Sequence, residues 1–364
     1  MQLPPPVHGA AVMNEIIITS PLICRHFESR HINISTAGQI EDIGRFSLGK
    51  VFSSIRLLLS ILKGLISFRP HLIYFTLSPS GFAFYRDVVY FFFMRWSGSK
   101  IVFHLHGKGI KEGAAKSRLF RRLSKWIFSK SYVIFLSEGL QSDVPFPSRK
   151  IYVVNYGLPV SALQEKSPAP ADKRVEILYI SNYVRTKGVI DLIDAIAKVV
   201  RTHSNFHLTL AGKPYDISLE FLKDYTREKG VADKVTIHGP KYKEEKTDLL
   251  WASDVFILPT YYENEAFPLS ILEAMQYTLP VISTYEGGIP DMIDDGVDGL
   301  LFRQRDIDQL AGKIIFLLDN PQDRVRLGQA ARKKFMERYT VSVFEQHILE
   351  TLQDITGAEG LPRS

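Results

Sequence analysis

Two glutamates separated by seven mostly apolar residues, Glu265 and Glu273, are the side chains in this sequence best placed to do chemistry. The run Asp254–Thr260 before them is typical of a buried parallel strand, and the segment from Ser270 onward predicts a helix. In an open α/β sheet the loop between such a strand and helix opens at the carboxyl ends of the strands, where ligands bind. Amide groups at the start of the helix favour an anion in the same space. The stretch therefore offers two carboxylates for sugar hydroxyls and N–H groups for a phosphate.

The rest of the chain alternates short apolar runs with helical patterns, which predicts parallel sheets. Predicted strands of the first half are Glu15–Ser20, His31–Ser35, His71–Thr76, a run from Lys100, Ser131–Ser137 and a run from Lys150. Predicted helices there are Leu48–Phe68, Gly81–Trp96 and Lys116–Lys130. Predicted strands of the second half, besides Asp254–Thr260, are Val175–Ser181, Phe206–Gly212, Lys234–Gly239, Pro280–Thr284 and Asp298–Phe302. The pattern restarts in the second half, so the fold class is α/β with two parallel sheets.

At 364 residues the chain is long enough for two domains with full cores. We predict a first domain over 1–160, a linker over 161–174, a second domain over 175–340, and a C-terminal helix and tail over 341–364. A composition of 45% hydrophobic and 23% charged residues is that of an ordinary globular protein. A single cysteine, Cys24, excludes an internal disulfide framework and fits a reducing compartment. We expect no signal peptide, because the N-terminus has neither a basic start nor an apolar stretch.

The charge is distributed unevenly. Residues 1–165 carry 20 Lys and Arg against 9 Asp and Glu, whereas residues 166–364 carry 25 against 30. A basic half suggests an anionic partner, either nucleic acid or a membrane surface. The helix predicted over Lys116–Lys130 would have an apolar face of Leu119, Phe120, Leu123, Trp126 and Ile127 and a basic face of Arg118, Arg121, Arg122 and Lys125. Such a helix can lie against anionic lipid, or it can pack on the sheet with its basic face in water; both interpretations stay open.

The two glutamates, with the strand Asp254–Thr260 before them and Gly287–Asp291 after them, resemble the E-x7-E element of glycosyltransferase family 4. The resemblance implies the GT-B fold, with two Rossmann-like domains facing a central cleft and a C-terminal helix that crosses back. It covers nearly the whole chain but is specific mainly in residues 175–302. It also implies that the second domain binds a nucleotide-sugar donor and that the first domain binds the acceptor.

On this resemblance Glu273 holds the ribose hydroxyls and Glu265 holds hydroxyls of the transferred sugar. The backbone amides implied to position that sugar are those of Ala266, Phe267 and Leu269. Pro268 stands where the family often has glycine, and it offers no N–H.

Lys187 matches the lysine of the family and is implied to neutralise the leaving diphosphate, where charge accumulates in the transition state. The family usually has Gly-Arg where this chain has Ser181 and Asn182. One phosphate-binding cation is therefore unaccounted for, and Arg185 is the candidate substitute.

Two residues of the first half complete the predicted site. Gly9 lies in a segment that resembles the family's glycine-bearing loop near the donor phosphates, although a plain turn glycine is as good an interpretation. No strand precedes it, which leaves open whether the first strand is missing from this chain. His106 directly precedes Gly107 at the predicted end of a strand, where an imidazole could bind a sugar hydroxyl or support developing charge. In the family a histidine at this strand end lies over the donor sugar; His104 is the alternative.

Asp306 and Asp308 have the spacing of the D-x-D metal motif of the other large glycosyltransferase fold. They open a predicted helix, so acids at a helix start are the better interpretation. No other cluster has metal-ligand spacing. We expect no catalytic metal and no cofactor.

Together these features predict a retaining glycosyltransferase of the hexosyltransferase class. It would move a sugar from a UDP-, GDP- or ADP-linked donor to a saccharide or lipid-linked saccharide in surface polysaccharide biosynthesis, such as that of lipopolysaccharide. We expect a cytoplasmic enzyme, peripheral on the inner face of the cytoplasmic membrane, with no nucleic acid partner. Two alternatives stay open: a nucleotide-sugar 2-epimerase of the same architecture, and a nucleic-acid-binding protein, for which no recognition motif is found.

Overall fold

The computed structural model describes residues 1–4, 9–34, 48–161 and 173–357. The chain divides into two compact units, the first comprising Met1–Gly157 with Val341–Ser364 and the second Leu158–Thr340. Most of the predicted linker, residues 162–172, lies outside the described residues.

The first unit contains a parallel sheet in the order β1-β2-β3-β4. Its strands are β1 (Leu72–Thr76), β2 (Lys100–His104), β3 (Tyr132–Phe135) and β4 (Ile151–Val153). Its helices are α1 (Gly9–Thr19), α2 (Pro21–His26), α3 (Leu48–Phe68), α4 (Gly81–Trp96), α5 (Ile110–Lys116), α6 (Arg118–Phe128) and α14 (Val341–Thr356). Although α14 follows the second unit in sequence, it belongs to the first: Lys100 Nζ on β2 donates a hydrogen bond of 2.7 Å to the Ile355 carbonyl.

Two elements of the first unit differ from the sequence prediction. Residues Glu15–Ser20 are not a strand, because Glu15–Thr19 is the end of α1 and Ser20 caps α2. The β-branched isoleucines there favour a strand by propensity, but Met13 and Ile17 are both buried at helical spacing, so packing selects a helix. Residues 31–34 of the predicted strand His31–Ser35 have no strand pairing, and Ser35 lies outside the described residues.

The basic helix is shorter than predicted. Its predicted start, Lys116, is the last residue of α5, and Ser117 separates the two helices as the N-cap of α6. Ser117 Oγ accepts a hydrogen bond of 3.2 Å from the Phe120 N–H, which satisfies one of the amides that a helix start leaves without an internal partner.

The second unit contains a parallel sheet in the order β10-β9-β8-β5-β6-β7. Its strands are β5 (Val175–Ile180), β6 (Phe206–Ala211), β7 (Val235–His238), β8 (Val255–Leu258), β9 (Val281–Thr284) and β10 (Gly299–Phe302). Its helices are α7 (Val189–Val199), α8 (Leu219–Glu228), α9 (Lys243–Ala252), α10 (Leu269–Gln276), α11 (Ile289–Met292), α12 (Ile307–Asp319) and α13 (Pro321–Arg338). Every residue of β8, β9 and β10 is buried, as expected for parallel strands covered on both faces.

The strand order reverses between β5 and β8, because β6 and β7 continue on one side of β5 and β9 and β10 on the other side of β8. This is the doubly wound order, in which the crevice at the reversal lies at the carboxyl ends of the strands.

Asp306 caps α12 by accepting a hydrogen bond of 2.9 Å from the Gln309 N–H, which confirms the helix-start interpretation of this residue. Within the described residues, no helix has the length and apolar character needed to cross a bilayer.

Candidate donor-binding site

The strand reversal brings two predicted site segments together. The loop after β5 carries Lys187 and the loop after β8 carries Glu265, and the Tyr261 N–H donates 2.8 Å to the Thr186 carbonyl between them. Gly188 makes this approach possible: its φ is +79°, and a Cβ there would lie 2.0 Å from the Pro259 carbonyl oxygen. Only glycine allows both the left-handed backbone and the contact.

Lys187 and Glu265 form an ion pair at the reversal. Lys187 Nζ donates to Glu265 Oε2, which also accepts a hydrogen bond of 3.3 Å from Thr260 Oγ1. The two side chains retain only 17% and 10% of their exposure, and Lys187 Nζ lies 4.7 Å from the centre of the Tyr262 ring. The Glu265 carboxylate and the Lys187 ammonium group are thus both held in place at the carboxyl ends of the strands.

Glu273 lies on α10 and forms a second lysine–glutamate pair. Lys246 Nζ, on α9, lies 2.6 Å from Glu273 Oε1 and 2.5 Å from Oε2. Both side chains keep about a quarter of their exposure, but the Oε2 atom of Glu273 is buried. Sequence reasoning missed Lys246, because it is 27 residues from Glu273 and the lysines and glutamates of α9 have the composition of a solvated helix.

The segment between the two glutamates is closely packed. Ala266 and Phe267 are buried, and Pro268 is the residue before the first turn of α10, which begins at Leu269. A second glycine contact holds this segment: Gly287 has φ +56°, and a Cβ there would lie 2.0 Å from the Glu265 carbonyl oxygen.

Arg185 is exposed, and its backbone N–H donates 2.9 Å to Asp216 Oδ1. A further arginine approaches the same region, because the Arg305 guanidinium lies 5.4 Å from the centre of the Tyr261 ring. Burial raises the pKa of Asp191 at the start of α7, while the positive charges of Arg305 and Arg185 act in the opposite direction. Arg305 is therefore a second candidate for the phosphate-binding cation that the sequence left unaccounted for.

His106 and Gly9 belong to the first unit. His106 Nδ1 lies 2.7 Å from the Tyr156 hydroxyl, and its ring centre is 4.1 Å from that of His104. His104 is fully buried and bonds Tyr74 Oη through Nδ1, and burial lowers its pKa to about 3. His106 is the less buried of the two histidines, although its Nε2 atom is itself buried.

Gly9 is the first residue of α1. Its place at a helix start is compatible with either interpretation of that glycine. The residues immediately before it, 5–8, lie outside the described part of the chain.

Nothing in the described residues forms a group of three or more His, Cys, Asp or Glu side chains suited to a metal ion. The cationic groups gathered at the reversal are instead Lys187, Arg185 and Arg305. They could carry the charge of a diphosphate.

The second half of the chain is similar in sequence to known proteins. Residues 161–334 match the family model described as glycosyl transferases group 1. Glycogen synthase of Mycobacterium tuberculosis is 29% identical over 185 residues, which cover 51% of this chain and 44% of that protein. The amylovoran biosynthesis glycosyltransferase AmsK of Erwinia amylovora is 27% identical over 211 residues, or 57% of this chain and 51% of that protein. The chain thus spans about half the length of these curated relatives.

The fold of most of the chain is also represented among solved structures. Anabaena Alr3699/HepE in complex with UDP superposes with a TM-score of 0.68 over 85% of each chain, at 20% sequence identity. This chain has two parallel sheets and the superposition covers 85% of it, so the fold prediction, α/β of the GT-B type, is confirmed. Through residues 161–334, this chain is similar to the glycosyltransferase group 1 family.

Proposed function

We propose that the protein is a retaining glycosyltransferase that moves a sugar from a nucleotide-diphosphate sugar to a saccharide or lipid-linked saccharide acceptor. One observation carries the proposal: the matched segment places the Lys187–Glu265 pair at the strand reversal, with Glu273 on the helix that follows. The reversal is where doubly wound sheets bind nucleotides. The similarity to AmsK supports a role in the biosynthesis of a surface polysaccharide.

In this proposal Glu273 accepts hydrogen bonds from the ribose hydroxyls. Lys246 now contacts both carboxylate oxygens, at 2.6 and 2.5 Å, so ribose must share or displace it. A lysine ammonium has three donors and rotates freely. It can therefore keep one oxygen of Glu273 and leave the other to the sugar.

Glu265 and Lys187 act at the other end of the donor. Glu265 accepts hydrogen bonds from the transferred sugar, which the amides of Ala266, Phe267 and Leu269 help to position. Lys187, with Arg185 or Arg305, neutralises the diphosphate as the bond between the anomeric carbon and the diphosphate oxygen breaks. The acceptor hydroxyl attacks on the same face, which retains the configuration, and it passes its proton to the departing diphosphate oxygen.

The base of the donor is open to direct test. Thermal unfolding is measured with UDP, GDP and ADP and with their sugars, since a ligand at 100 times its Kd stabilises the folded state by about 2.7 kcal/mol. UDP is the first candidate, because the HepE structure contains it. The matching UDP-sugar is then incubated with saccharide acceptors, and the anomeric configuration of the product is read by NMR. Hydrolysis to free nucleotide with no acceptor consumed would instead support an epimerase.

Substitution of the two glutamates tests donor binding and sugar transfer separately. Losing a charged acceptor for a hydroxyl costs about 1.5–3 kcal/mol, so Glu273→Gln is expected to weaken nucleoside diphosphate by roughly tenfold or more. Glu265→Gln is expected to bind the diphosphate nearly as the parent does and to lose most of its turnover with the full donor. Calorimetry and initial rates measure the two effects. The reverse pattern would exchange the two roles, and unaffected binding and rates in both variants would refute the proposal.

We further propose that the enzyme works as a peripheral protein on an anionic membrane surface, on the cytoplasmic side where nucleotide sugars are used. The support is the net charge of residues 1–165 together with α6, on which Arg118, Arg122 and Lys125 are exposed. Arg121 is partly engaged, because its Nε donates 2.9 Å to the Ala114 carbonyl. Binding to anionic vesicles is expected to weaken with salt, since exposed charges are screened over about 8 Å at physiological ionic strength.

A further inference from the structure

The outer surface of three neighbouring helices in the first unit carries large apolar side chains that the core does not use. On α3 the exposed residues recur at helical spacing, and the same is true on α4, so each helix presents one apolar stripe to solvent. Leu119, which was predicted on the apolar face of the basic helix, lies exposed on α6. We call this set the apolar ridge: Phe52, Ile55, Leu59, Ile66, Phe82, Val89, Phe92, Trp96 and Leu119.

The helices that carry the apolar ridge lie side by side. Tyr90 Oη on α4 donates a hydrogen bond of 3.0 Å to the Ser54 carbonyl on α3. On the other side of α4, the ring centre of Phe92 lies 6.5 Å from that of Trp126 on α6 and 4.8 Å from that of Trp96. The two stripes and Leu119 therefore belong to one surface.

The exposed area is comparable to the largest apolar patch of a typical single chain. Trp96 is 74% exposed, and Phe52, Phe82 and Phe92 are 73%, 63% and 41% exposed. At about 150–250 Å² per aromatic side chain, these four rings alone expose on the order of 450 Å². Because the largest apolar patch on a typical monomer is about 300–600 Å² and is often functional, the apolar ridge marks an interaction surface.

The charges around the apolar ridge indicate what it contacts. The only carboxylate on α3, α4 and α6 is Asp87, which is fully buried and bonded to Arg86 at 2.8 Å. The exposed basic residues of the same helices are Arg56, Lys63, Arg118, Arg121, Arg122 and Lys125, and Arg95 is partly exposed. A second copy of this surface would place basic residues against basic residues, whereas an anionic bilayer matches both its charge and its apolar side chains.

We propose that the apolar ridge inserts into the headgroup and upper acyl region of an anionic bilayer, with Trp96 and the phenylalanines as anchors and the basic residues at the phosphates. Exposed tryptophan and phenylalanine are the side chains that prefer this interfacial depth. The inference deepens the membrane-surface part of the proposed function and rests on that part, not on the transfer reaction. It differs from electrostatic adsorption because insertion of apolar surface is not weakened by salt.

The test compares vesicle binding at low and high salt. The parent is expected to pellet with vesicles of phosphatidylcholine and phosphatidylglycerol at low salt and to keep part of that binding at high salt. The variant Ile66→Ser with Trp96→Ser removes one strongly exposed residue from each of α3 and α4. We expect its affinity for vesicles at high salt to be about tenfold or more below that of the parent. A tenfold ratio corresponds to 1.4 kcal/mol.

A matched control and a depth measurement complete the experiment. Val325→Ser with Met336→Ser removes exposed apolar residues from α13 of the second unit and is expected to leave vesicle binding unchanged. In a protein with Trp126→Phe and Trp251→Phe, the fluorescence of Trp96 is expected to be quenched by lipids brominated near the headgroup end of the acyl chain.

Three outcomes would overturn the inference. One is equal binding by the ridge variant and the parent at both salt concentrations. Another is the absence of Trp96 quenching while the protein is bound. The third is a parent that is dimeric without lipid and a ridge variant that is monomeric, which would assign the surface to a second copy. If the parent fails to bind anionic vesicles at all, the membrane part of the proposed function fails too. The glycosyltransferase part is tested separately, by the UDP and transfer assays.

Discussion

The ion pair between Lys187 and Glu265 leads to a quantitative prediction about folding stability. The two side chains keep only 17% and 10% of their exposure, so removing one partner leaves the other charge poorly hydrated. Breaking a fully buried pair costs about 3–5 kcal/mol. Since water still reaches this pair, we expect Glu265→Gln and Lys187→Met each to lower the free energy of unfolding by about 2 kcal/mol.

The double variant distinguishes a coupled pair from two independent residues. With both charges removed, no uncompensated charge is left, so the double variant is expected to lose about 2 kcal/mol rather than about 4. The coupling energy is then about 2 kcal/mol, within the range of residues in direct contact. For a unit of this size a loss of 2 kcal/mol lowers the Tm by about 4–8 °C.

Urea unfolding followed by tryptophan fluorescence measures these energies. Trp251 is the only tryptophan of the sequence between residues 158 and 340, so Trp96→Phe and Trp126→Phe restrict the signal to the second unit. The coupling is expected to persist at high salt, because a pair this little exposed is weakly screened. Additive effects of the two substitutions, within about 0.5 kcal/mol, would refute the view that this ion pair organises the site.

Three more predictions follow from the same structure. Burial lowers the pKa of His104 to about 3, whereas the pKa of a histidine in the unfolded chain is about 6.5. The stability that the neutral His104 contributes is therefore fully present above about pH 6.5 and is lost as the pH falls. Between pH 7 and about pH 5, protonation of this one group lowers the free energy of unfolding by about 2 kcal/mol. Urea unfolding of His104→Gln at the two pH values is expected not to show this loss. Gly188→Ala, whose Cβ would meet the Pro259 carbonyl at 2.0 Å, is expected to lower stability by about 2 kcal/mol or more and to weaken nucleoside diphosphate binding in calorimetry. Gly230→Ala, with φ +69° and open space, is its control and should cost only about 1–2 kcal/mol with no change in binding. Transfer is expected to survive excess chelator, and a complete loss restored by magnesium or manganese would contradict that expectation.

Local sequence patterns were enough to predict most elements of this fold. The helices Leu48–Phe68 and Gly81–Trp96 were predicted with the bounds that the structure has, because apolar periodicity is long there and Arg69-Pro70 ends the first. The strands of the second unit are short fully apolar runs between turn residues, and these also stand out locally. Glu265 and Glu273 could be singled out because strand, loop and helix follow each other directly in the sequence.

Tertiary structure decided what depends on contacts between distant residues. Glu15–Thr19 is helical because its helix packs in the first unit, against the local preference of its isoleucines. Lys187 pairs with a glutamate 78 residues away only because the order of β5 and β8 places their loops together. Lys246 pairs with a glutamate 27 residues away because α9 packs against β5 and α10 against the neighbouring β8. The exposure of Leu119 and Trp96 likewise depends on which face each helix turns to the sheet. Periodicity along one segment reports that a face is apolar, but only the packing of all the elements determines whether protein covers it.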